Sequence, residues 1–300
     1  YRGANILIFD EPTAVLVPQE VDELFSALHG LREQGMSIIF ISHKLDEVLR
    51  VADEVTVIRA GATVAEVSSK EVTSRQLAEL MVGSELPKPE TKGNTKRDQV
   101  VFELKNVTVP SKGARNILSN ISFKLHAGEV IGIAGVEGNG QSELTETILG
   151  LLEYTGSILY NGESMDSKSV ADRRDLGIGF IPEDRQRQAL MLGSPLWENR
   201  ILGYQRSKPV FNGFILDKKA TIEDTKVIMQ EFDVRAPGPN TLATALSGGN
   251  QQKFIVGREM VHAPKLLVAA HPTRGVDVGA QGAIWEELRK AREKGMAIVL

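Results

Sequence analysis

The chain carries an internal repeat that relates its first residues to its last. Residues 5–40 align with residues 265–300 without a gap, at a fixed offset that pairs Pro12 with Pro272. Each copy reads as an apolar strand, a loop, an amphipathic helix and a second apolar strand. A match that keeps the same spacing through four elements predicts that the chain holds parts of two copies of one domain.

Composition restricts the class of protein further. The chain has 300 residues, a length that suggests about two domains, and its fractions of 42% hydrophobic and 25% charged residues are ordinary for a globular protein. The net charge of -4 provides no general attraction to nucleic acid or anionic lipid. The absence of cysteine excludes disulfides and thiolate metal sites, and no apolar run reaches the roughly 18 residues that cross a bilayer. Because the sequence begins at Tyr1 without a methionine and stops at Leu300 inside a strand pattern, we expect it to be an excised fragment.

A polar segment separates the two copies. Residues 84–99 contain Pro87 and Pro89 and read as an interdomain linker, with a long surface loop as the alternative. A new strand pattern follows at once, which favours the linker. We therefore predict the C-terminal part of a first domain at 1–83 and a second domain at 100–300.

Short apolar runs alternate with helical patterns, which is typical of an α/β domain with a mainly parallel sheet. The predicted strands are 5–9, 37–41, 54–58, 129–134, 157–160, 177–182, 265–269 and 296–300. The predicted helices are 18–34, 44–52, 74–82, 141–152, 221–232, 248–262 and 280–294. The apolar patterns between residues 100 and 125 indicate an antiparallel addition to this sheet.

A glycine-rich loop follows the strand predicted at 129–134. Its residues from Gly135 to Ser142 fit the phosphate-loop pattern G-x-x-x-x-G-K-[ST], except that Gln141 replaces the lysine and brings no positive charge. Glycines let backbone N–H groups converge on an anion, and the N-terminus of the following helix adds its dipole. A tight turn is the alternative to a phosphate site. A phosphate site implies nucleotide contacts from Gly135, Gly138, Asn139, Gly140, Gln141, Ser142 and Glu143, with the Ser142 hydroxyl available to Mg²⁺.

Two acids end the first strand of the first copy, and the second copy lacks both. Asp10 and Glu11 point in different directions because side chains alternate along a strand. One acid can hold Mg²⁺, commonly through water, while Glu11 deprotonates an attacking water; solvated acids in a strand-end turn are the alternative. Ala270 and His271 occupy these positions in the second copy. The loss of both acids and of the phosphate-loop lysine predicts a second site that binds nucleotide weakly or without turnover.

Ser42 and His43 follow the next strand of the first copy. A polar residue at this place can contact a γ-phosphate or hold the attacking water. Ser42 can also start a helix as its N-cap, with Asp46 and Glu47 in the first turn. The two interpretations are compatible.

The string L-S-G-G-N-Q-Q-K at residues 246–253 opens another predicted helix. A serine and two glycines at the positive end of a helix suit phosphate. The complete string resembles the signature of ATP-binding-cassette (ABC) proteins. Its N-Q-Q-K ending is typical of the double-cassette ATPases of bacterial importers for ribose, galactose, xylose and nucleosides. This resemblance assigns Ser247, Gly248, Gly249 and Gln251 to nucleotide binding.

The resemblance covers nearly the whole chain and implies a P-loop NTPase fold. The second cassette would carry an antiparallel β subdomain and a helical subdomain, and the first cassette would be partial. Asp10 and Glu11 look like the Walker B motif of the first cassette, and His43 looks like its switch histidine. Gly135–Ser142 look like the second Walker A motif, and Glu183 stands where most cassettes have the Q-loop glutamine.

The implied function is that of an ATP-binding and ATP-hydrolysing subunit of an importer for a sugar or a nucleoside. The combination of G-V-E-G-N-G-Q-S-E with A-x-P-T-R-G favours the nucleoside branch. The implied cofactors are ATP and Mg²⁺. The implied partners are membrane permease subunits and a substrate-binding protein, with no nucleic acid, and the implied location is peripheral, at the cytoplasmic face of the bacterial cell membrane.

In this family two cassettes pair head to tail, and each ATP lies between one Walker A motif and the other cassette's signature. The resemblance therefore implies one competent site, in which Asp10, Glu11 and His43 face the signature, and one degenerate site. Residues 107–115 lack the aromatic residue that the family often stacks on adenine, which weakens the second site further. We expect the 300 residues alone to be inactive, since they complete neither site. The alternatives are a non-transport ABC protein and a nucleotide-binding regulatory module without turnover.

Overall fold

A computed structural model describes residues 4–13, 16–59, 61–83, 95–111, 117–136, 138–213 and 215–300. The chain divides into two compact units. One unit comprises Tyr1–Glu90 with Asp277–Gly282, and the other comprises Thr91–Val276 with Ala283–Leu300. Among the helices of the described residues, none is both long enough and apolar enough to cross a membrane.

Among its described residues up to Gly83, the first unit contains two small sheets and three helices. Its strands are β1 Ile6–Asp10, β2 Ser37–Ile41, β3 Glu54–Arg59 and β4 Ala62–Ser68, and its helices are α1 Pro18–Glu33, α2 Leu45–Val51 and α3 Ser74–Val82. Strands β1 and β2 pair in parallel, whereas β3 and β4 form an antiparallel hairpin. Helix α1 packs on the β1–β2 sheet through Val21, Phe25 and Leu28, which contact Phe9 and Phe40.

The other face of the β1–β2 sheet is bare among the described residues. Ile6, Ile8, Ile39 and Ile41 are 48% to 67% exposed. They lie on one face because side chains alternate along each strand. A parallel strand pair normally has both faces covered. Among the described residues of this unit, only the face that packs against α1 is covered.

The second unit contains two four-stranded sheets. Its strands are β5 Val100–Val109, β6 Leu118–His126, β7 Val130–Ile131, β8 Thr155–Tyr160, β9 Glu163–Ser164, β10 Ile178–Ile181, β11 Leu266–Ala269 and β12 Ala297–Val299. A parallel sheet has the order β10-β11-β12-β7, and an antiparallel sheet has the order β6-β5-β8-β9. Phe102 and Leu125 of the antiparallel sheet share one buried core with Val268 of the parallel sheet.

The remaining helices are α4 Gln141–Leu149, α5 Val170–Asp175, α6 Leu196–Asn199, α7 Lys218–Glu231, α8 Gly248–Met260 and α9 Val278–Glu293. Ile148 of α4 lies in the same core as the two sheets. Helix α7 begins before the predicted start because Asp217 caps it, accepting a hydrogen bond from the Ala220 N–H at 2.9 Å. Helices α5 and α6 and strands β4 and β9 were not predicted. Within the strand predicted at 129–134, β7 covers only Val130–Ile131, but backbone hydrogen bonds extend beyond it: the Ile298 N–H donates to the Glu129 carbonyl at 3.0 Å, and the Ile133 N–H donates to the Leu300 carbonyl at 2.7 Å.

The predicted fold class is confirmed: the chain is α/β, with a parallel sheet and an antiparallel addition. Of the segment predicted as a linker, residues 84–94 lie outside the described residues. The remainder joins the second unit, where the Arg97 N–H donates to the Ala127 carbonyl at 2.8 Å and the Ala127 N–H donates to the Gln99 carbonyl at 2.9 Å. The second unit therefore starts earlier than the predicted boundary at residue 100.

The sequence repeat is also a repeat of backbone geometry. In the first unit Ile6 pairs with Ser37, and in the second Leu266 pairs with Ala297, which are the residues that the sequence alignment matches. Helix α9 has the bounds that the same alignment gives from α1. The prediction of two copies of one α/β element therefore agrees with the strand register as well as with the sequence.

One buried carboxylate ties helix α8 to the parallel sheet. Glu259 is fully buried, and its carboxylate accepts hydrogen bonds from the Phe180 N–H at 3.0 Å and the Tyr204 hydroxyl at 3.1 Å. It also pairs with the guanidinium groups of Arg174 and Arg258. Burial alone would raise the pKa of Glu259, but the two arginines outweigh that effect and hold this pKa below the usual range. The C-terminal end of α8 is thereby fixed to β10.

We predict that Glu259→Gln lowers the free energy of unfolding at pH 7 by about 3 kcal/mol, since it leaves buried arginines without their counter-charge. Because the pKa of Glu259 is lower in the folded state, its contribution is present above its ordinary value of 4.5 and disappears as the pH falls through the folded pKa. Urea unfolding from pH 7 to pH 3 measures both effects.

The difference between wild type and Glu259→Gln should therefore narrow below about pH 4.5. Glu231→Gln is the matched control, because Glu231 is exposed at the end of α7. Equal stability of the wild type and Glu259→Gln at pH 7 would contradict this account of the buried cluster.

Candidate functional site

In the first unit, Glu11 is placed by a sharp turn at the end of β1. Its backbone has a positive φ of 47°, and its N–H donates to the Ile41 carbonyl at 2.9 Å. The carboxylate Oε1 accepts a hydrogen bond from the His43 N–H at 3.0 Å and lies 2.7 Å from His43 Nδ1. The structure therefore brings the predicted base and the predicted switch histidine into direct contact, and it leaves Asp10 exposed as the last residue of β1.

The other oxygen of the Glu11 carboxylate is available for a further hydrogen bond. Glu11 Oε2 is buried and has no hydrogen-bond partner among the described residues. A buried carboxylate oxygen without a donor is costly, and it is suited to accept a proton or a hydrogen bond from a water. No cluster of three metal-ligating side chains occurs among the described residues.

A second set of contacts holds this turn against α2. Thr13 is fully buried, and its hydroxyl donates to the Glu47 carboxylate. Lys44 Nζ donates to the Thr13 carbonyl at 3.0 Å and lies 3.2 Å from Glu47 Oε1. The Thr13 contacts were not predicted, because they join positions more than 30 residues apart. They fix the distance between Glu11 and the segment that carries His43.

The prediction that Ser42 caps a helix is wrong. Helix α2 begins at Leu45, and its N-cap residue is Lys44, which makes no side-chain capping bond. Ser42 Oγ instead accepts a hydrogen bond from the Lys44 N–H at 3.1 Å. Asp46 and Glu47 do occupy the first turn, as predicted.

In the second unit, the glycine loop leads into α4 as the sequence predicts. Gly138 and Gly140 have positive φ values of 86° and 105°, and Gly140 is the N-cap residue. A side chain at Gly140 would collide with Leu118, since its Cβ would lie 2.7 Å from a Leu118 methyl group. Backbone conformation therefore favours glycine at both positions, and packing requires it at Gly140 as well.

Gln141 lies across this loop. Its Nε2 donates to the Val136 carbonyl at 3.1 Å and approaches Gly135 so closely that a Cβ there would lie 2.4 Å away. Its Oε1 is buried and makes no hydrogen bond to the described residues. The side chain that replaces the phosphate-loop lysine is thus folded onto the loop's own backbone. Gly135 is the residue that allows this close approach.

Residues from three predicted motifs line one cavity of about 480 Å³ in the second unit. Gln141 and Ser142 come from the glycine loop, Glu183 follows β10, and Ala270 and His271 follow β11. Most of the remaining wall is apolar and includes Phe180, Val268 and Trp285. The cavity therefore brings together part of the predicted site, with no carboxylate at 270 or 271. The other predicted phosphate-loop residues are not among the lining residues: Gly135, Gly138, Asn139, Gly140 and Glu143.

The signature residues lie elsewhere in the second unit. Ser247 is the N-cap residue of α8, and its Oγ accepts hydrogen bonds from the Asn250 N–H at 3.4 Å and from Asn250 Nδ2 at 3.0 Å. Gln251 donates to the Ala243 carbonyl at 3.0 Å. Ser247, Gly248 and Gly249 are absent from the cavity lining, so this helix end is available to a different site.

Two arginines at this end of the unit were not singled out from the sequence. Arg274 forms an ion pair with Glu183. Arg185 donates to the Arg274 carbonyl at 2.8 Å and to Gln251 Oε1 at 3.3 Å. Burial lowers the pKa of Arg185, and Asp184 opposes that shift. In the sequence, Arg185 ends the string P-E-D-R at residues 182–185, which does not indicate the groups that its side chain contacts.

Comparison with known proteins decides the family. Residues 118–274, more than half of the chain, match the family model described as ABC transporter. The chain belongs to the ABC transporter family. Among its ABC relatives, it is 40% identical to the nucleoside import ATP-binding protein NupA of Lactococcus lactis subsp. cremoris, across 100% of this chain and 60% of the relative. It is 42% identical to the guanosine import ATP-binding protein NupO of Bacillus subtilis, across 100% of this chain and 59% of the relative.

A third ABC relative has a sugar in its name. The glucose import ATP-binding protein TsgD13 of Haloferax volcanii is 41% identical, across 100% of this chain and 55% of the relative. The chain thus spans no more than 60% of the length of these three curated relatives.

Solved ABC cassettes share the fold. A dimeric ATP-binding cassette in a post-hydrolysis state with ADP and Pi has a TM-score of 0.57 and 24% identity, covering 66% of this chain and 86% of that one. A nucleotide-free cassette from an ABC transporter has a TM-score of 0.57 and 22% identity, covering 67% of this chain and 80% of that one. The predicted P-loop NTPase fold is therefore confirmed.

We predict that Gln141→Lys strengthens binding of a non-hydrolysable ATP analogue to the second ABC cassette by about 10-fold, because a charged donor to phosphate is stronger than a neutral one. Isothermal titration calorimetry on the 300-residue chain measures the change. Gln230→Lys adds the same charge on the exposed surface of α7 and should leave the affinity unchanged. An unchanged affinity in Gln141→Lys would contradict the assignment of this loop to phosphate.

Proposed function

We propose that this chain is part of a double-cassette ATPase that drives import of a nucleoside or a sugar, with one competent and one degenerate ATP site. The main support for the proposal is the hydrogen bonding of the Glu11 carboxylate. Its carboxylate is held by His43 on one oxygen and leaves the other without a partner. The second copy keeps the same turn, since His271 has the same positive φ of 47°, but it has no carboxylate there.

The bare sheet face of the first unit supports a longer whole protein. In the second unit the equivalent strands β11 and β12 lie between β10 and β7, and all of their residues are buried. In the first unit, strands β1 and β2 pair only with each other among the described residues, and their isoleucines are exposed. Additional sequence of the kind that the relatives possess would supply the missing neighbours and the first Walker A motif.

The proposed reaction is hydrolysis of ATP by an attacking water. Glu11 acts as the general base through Oε2, while His43 fixes the orientation of the carboxylate through Oε1. Asp10, the last residue of β1, would hold Mg²⁺, commonly through water. The ion neutralises phosphate charge when bound. The chain's own contribution is to position the water and the γ-phosphate, which is the main source of catalysis in phosphoryl transfer.

The head-to-tail pairing of cassettes completes this site from the second unit. Ser247, Gly248 and Gly249 would contact the ATP that the first cassette binds, using the hydroxyl and the N–H groups at the start of α8. The cavity that contains Gln141 and Ser142 would form the second, degenerate site. The 300 residues alone are proposed to be inactive, because neither site is complete within them.

The transported substrate, the partners and the location are also proposals. A nucleoside is the first candidate for the substrate, because the strings G-V-E-G-N-G-Q-S-E and A-x-P-T-R-G favour that branch of the family. Two relatives are also named for nucleoside or guanosine import. A sugar is the second candidate, because a glucose import relative has a similar identity of 41%. The whole protein is proposed to work with membrane permease subunits and a substrate-binding protein, at the cytoplasmic face of the membrane. Uptake of labelled nucleosides and sugars by cells with and without this gene distinguishes the two substrates.

We predict that Glu11→Gln, made in the full-length protein, lowers ATP turnover at least about 100-fold while nucleotide binding persists, because the substitution removes the base but keeps the shape. Phosphate release under saturating Mg²⁺ and ATP measures turnover. Glu66→Gln is the matched control, since Glu66 is an exposed acid on β4 of the same unit. Near-wild-type turnover in Glu11→Gln would rule out the assigned base and favour a module without catalysis by this site.

A further inference from the structure

Arg185 joins three segments of the second unit that carry different motifs. It is the first residue of a π-helical turn, Arg185–Ala189, and comes two residues after Glu183. Its Nε donates to Gln251 in the first turn of α8 at 3.3 Å. Its Nη1 donates at 2.8 Å to the carbonyl of Arg274 in the loop after β11. One guanidinium therefore connects the loop after β10, the loop after β11 and the start of the signature helix.

The same guanidinium lies against the first residue of α8. A Cβ built on Gly248 would be 2.6 Å from Arg185 Nη2 and 3.2 Å from the Gly275 carbonyl. Any side chain at 248 would displace the guanidinium or the backbone of the neighbouring loop. Gly248 is therefore a packing requirement of Arg185 as well as a means of exposing backbone N–H groups.

Neighbouring contacts strengthen this junction. The Arg274 side chain pairs with Glu183, so the two loops hold each other reciprocally. Gln252 Nε2 donates to the Pro272 carbonyl at 2.8 Å, which ties the first turn of α8 to the loop after β11 a second time. The turn that carries Arg185 is itself fixed by Asp184, whose Oδ1 accepts the N–H groups of Gln186 and Arg187 at 3.1 Å each.

We propose that Arg185 is a positioning residue for ATP hydrolysis: it fixes Ser247 and Gly248 against the loop that carries Glu183, and it adds a positive charge beside the helix end that meets the triphosphate. This inference rests on the proposed function, in which that ATP belongs to the site of Glu11. A triphosphate is strongly negative, and the dipole at the start of α8 offsets only part of that charge. The positive charge of Arg185 offsets more of it. Arg185 acts through the signature and is not assigned a contact with the nucleotide.

The chain offers a close control for this role. Arg187 lies on the same turn, but its side chain is 88% exposed and its nearest acidic partner, Asp184, is 3.8 Å away. Substitution of either arginine removes one positive charge from the same loop. Only substitution of Arg185 removes the bonds to Gln251 and Arg274.

The test compares Arg185→Gln, Arg185→Lys and Arg187→Gln in the full-length protein, with kcat and KM for ATP and the thermal unfolding midpoint measured for each. We expect Arg185→Gln to lower kcat about 10-fold to 100-fold and to change KM less than about threefold. The reason is that the lost interaction stabilises the transition state more than the bound substrate. The kcat of Arg185→Lys should lie between those of the wild type and Arg185→Gln, because lysine keeps the positive charge but lacks the guanidinium that donates to two partners. Arg187→Gln should match the wild type.

Wild-type kcat in Arg185→Gln, or a loss of kcat that is matched by a lower unfolding midpoint in both Arg185 variants, would overturn the positioning role. Glu11→Gln in the same assay separates this inference from the proposed function. An inactive Glu11→Gln beside an unaffected Arg185→Gln contradicts the role of Arg185 alone. An active Glu11→Gln contradicts the proposed site itself.

Discussion

The parallel pairing of two strands at one register is the constraint on which both copies depend. Ile6 pairs with Ser37 in the first unit, and Leu266 pairs with Ala297 in the second. In both units a residue in the left-handed backbone region follows the first strand of the pair: Glu11 comes directly after β1, and His271 comes two residues after the last residue of β11. A positive φ is unfavourable for a residue with a side chain, by about 1 kcal/mol or more, and such strain is concentrated at functional sites.

The two copies therefore share a backbone and differ in chemistry. The first copy uses the turn to hold a carboxylate against His43, with one oxygen free of partners. The second copy also has a positive φ at this position, but His271 lines a largely apolar cavity together with Gln141, whose side chain is folded onto its own glycine loop. The geometry of the turn has thus been retained where the acids have not, which is the physical basis for proposing two unequal sites in one protein.

Local patterns predicted the parts of this molecule that depend on backbone geometry. The repeat predicted the strand, helix and strand that recur in the two units, and the glycine-rich loop predicted the turn that leads into α4. Side chains that connect distant segments left no local pattern. The path of Gln141 back to Val136, the contacts of Arg185 with Gln251, and the burial of Glu259 follow only from tertiary packing. Sequence reasoning named candidate residues for the chemistry and missed most of the residues that hold them in place.

The difference between the two copies leads us to propose that only the acids of the first copy support turnover. ATP hydrolysis by the full-length protein tests this after the first copy receives the residues of the second, in Asp10→Ala with Glu11→His. Ala270→Asp with His271→Glu is then added in the same protein. We expect the first exchange to abolish turnover and the second not to restore it, because Gln141 still replaces the lysine. Turnover that survives the first exchange, or that returns with the second, would show that the acids of the first copy are not what limits hydrolysis.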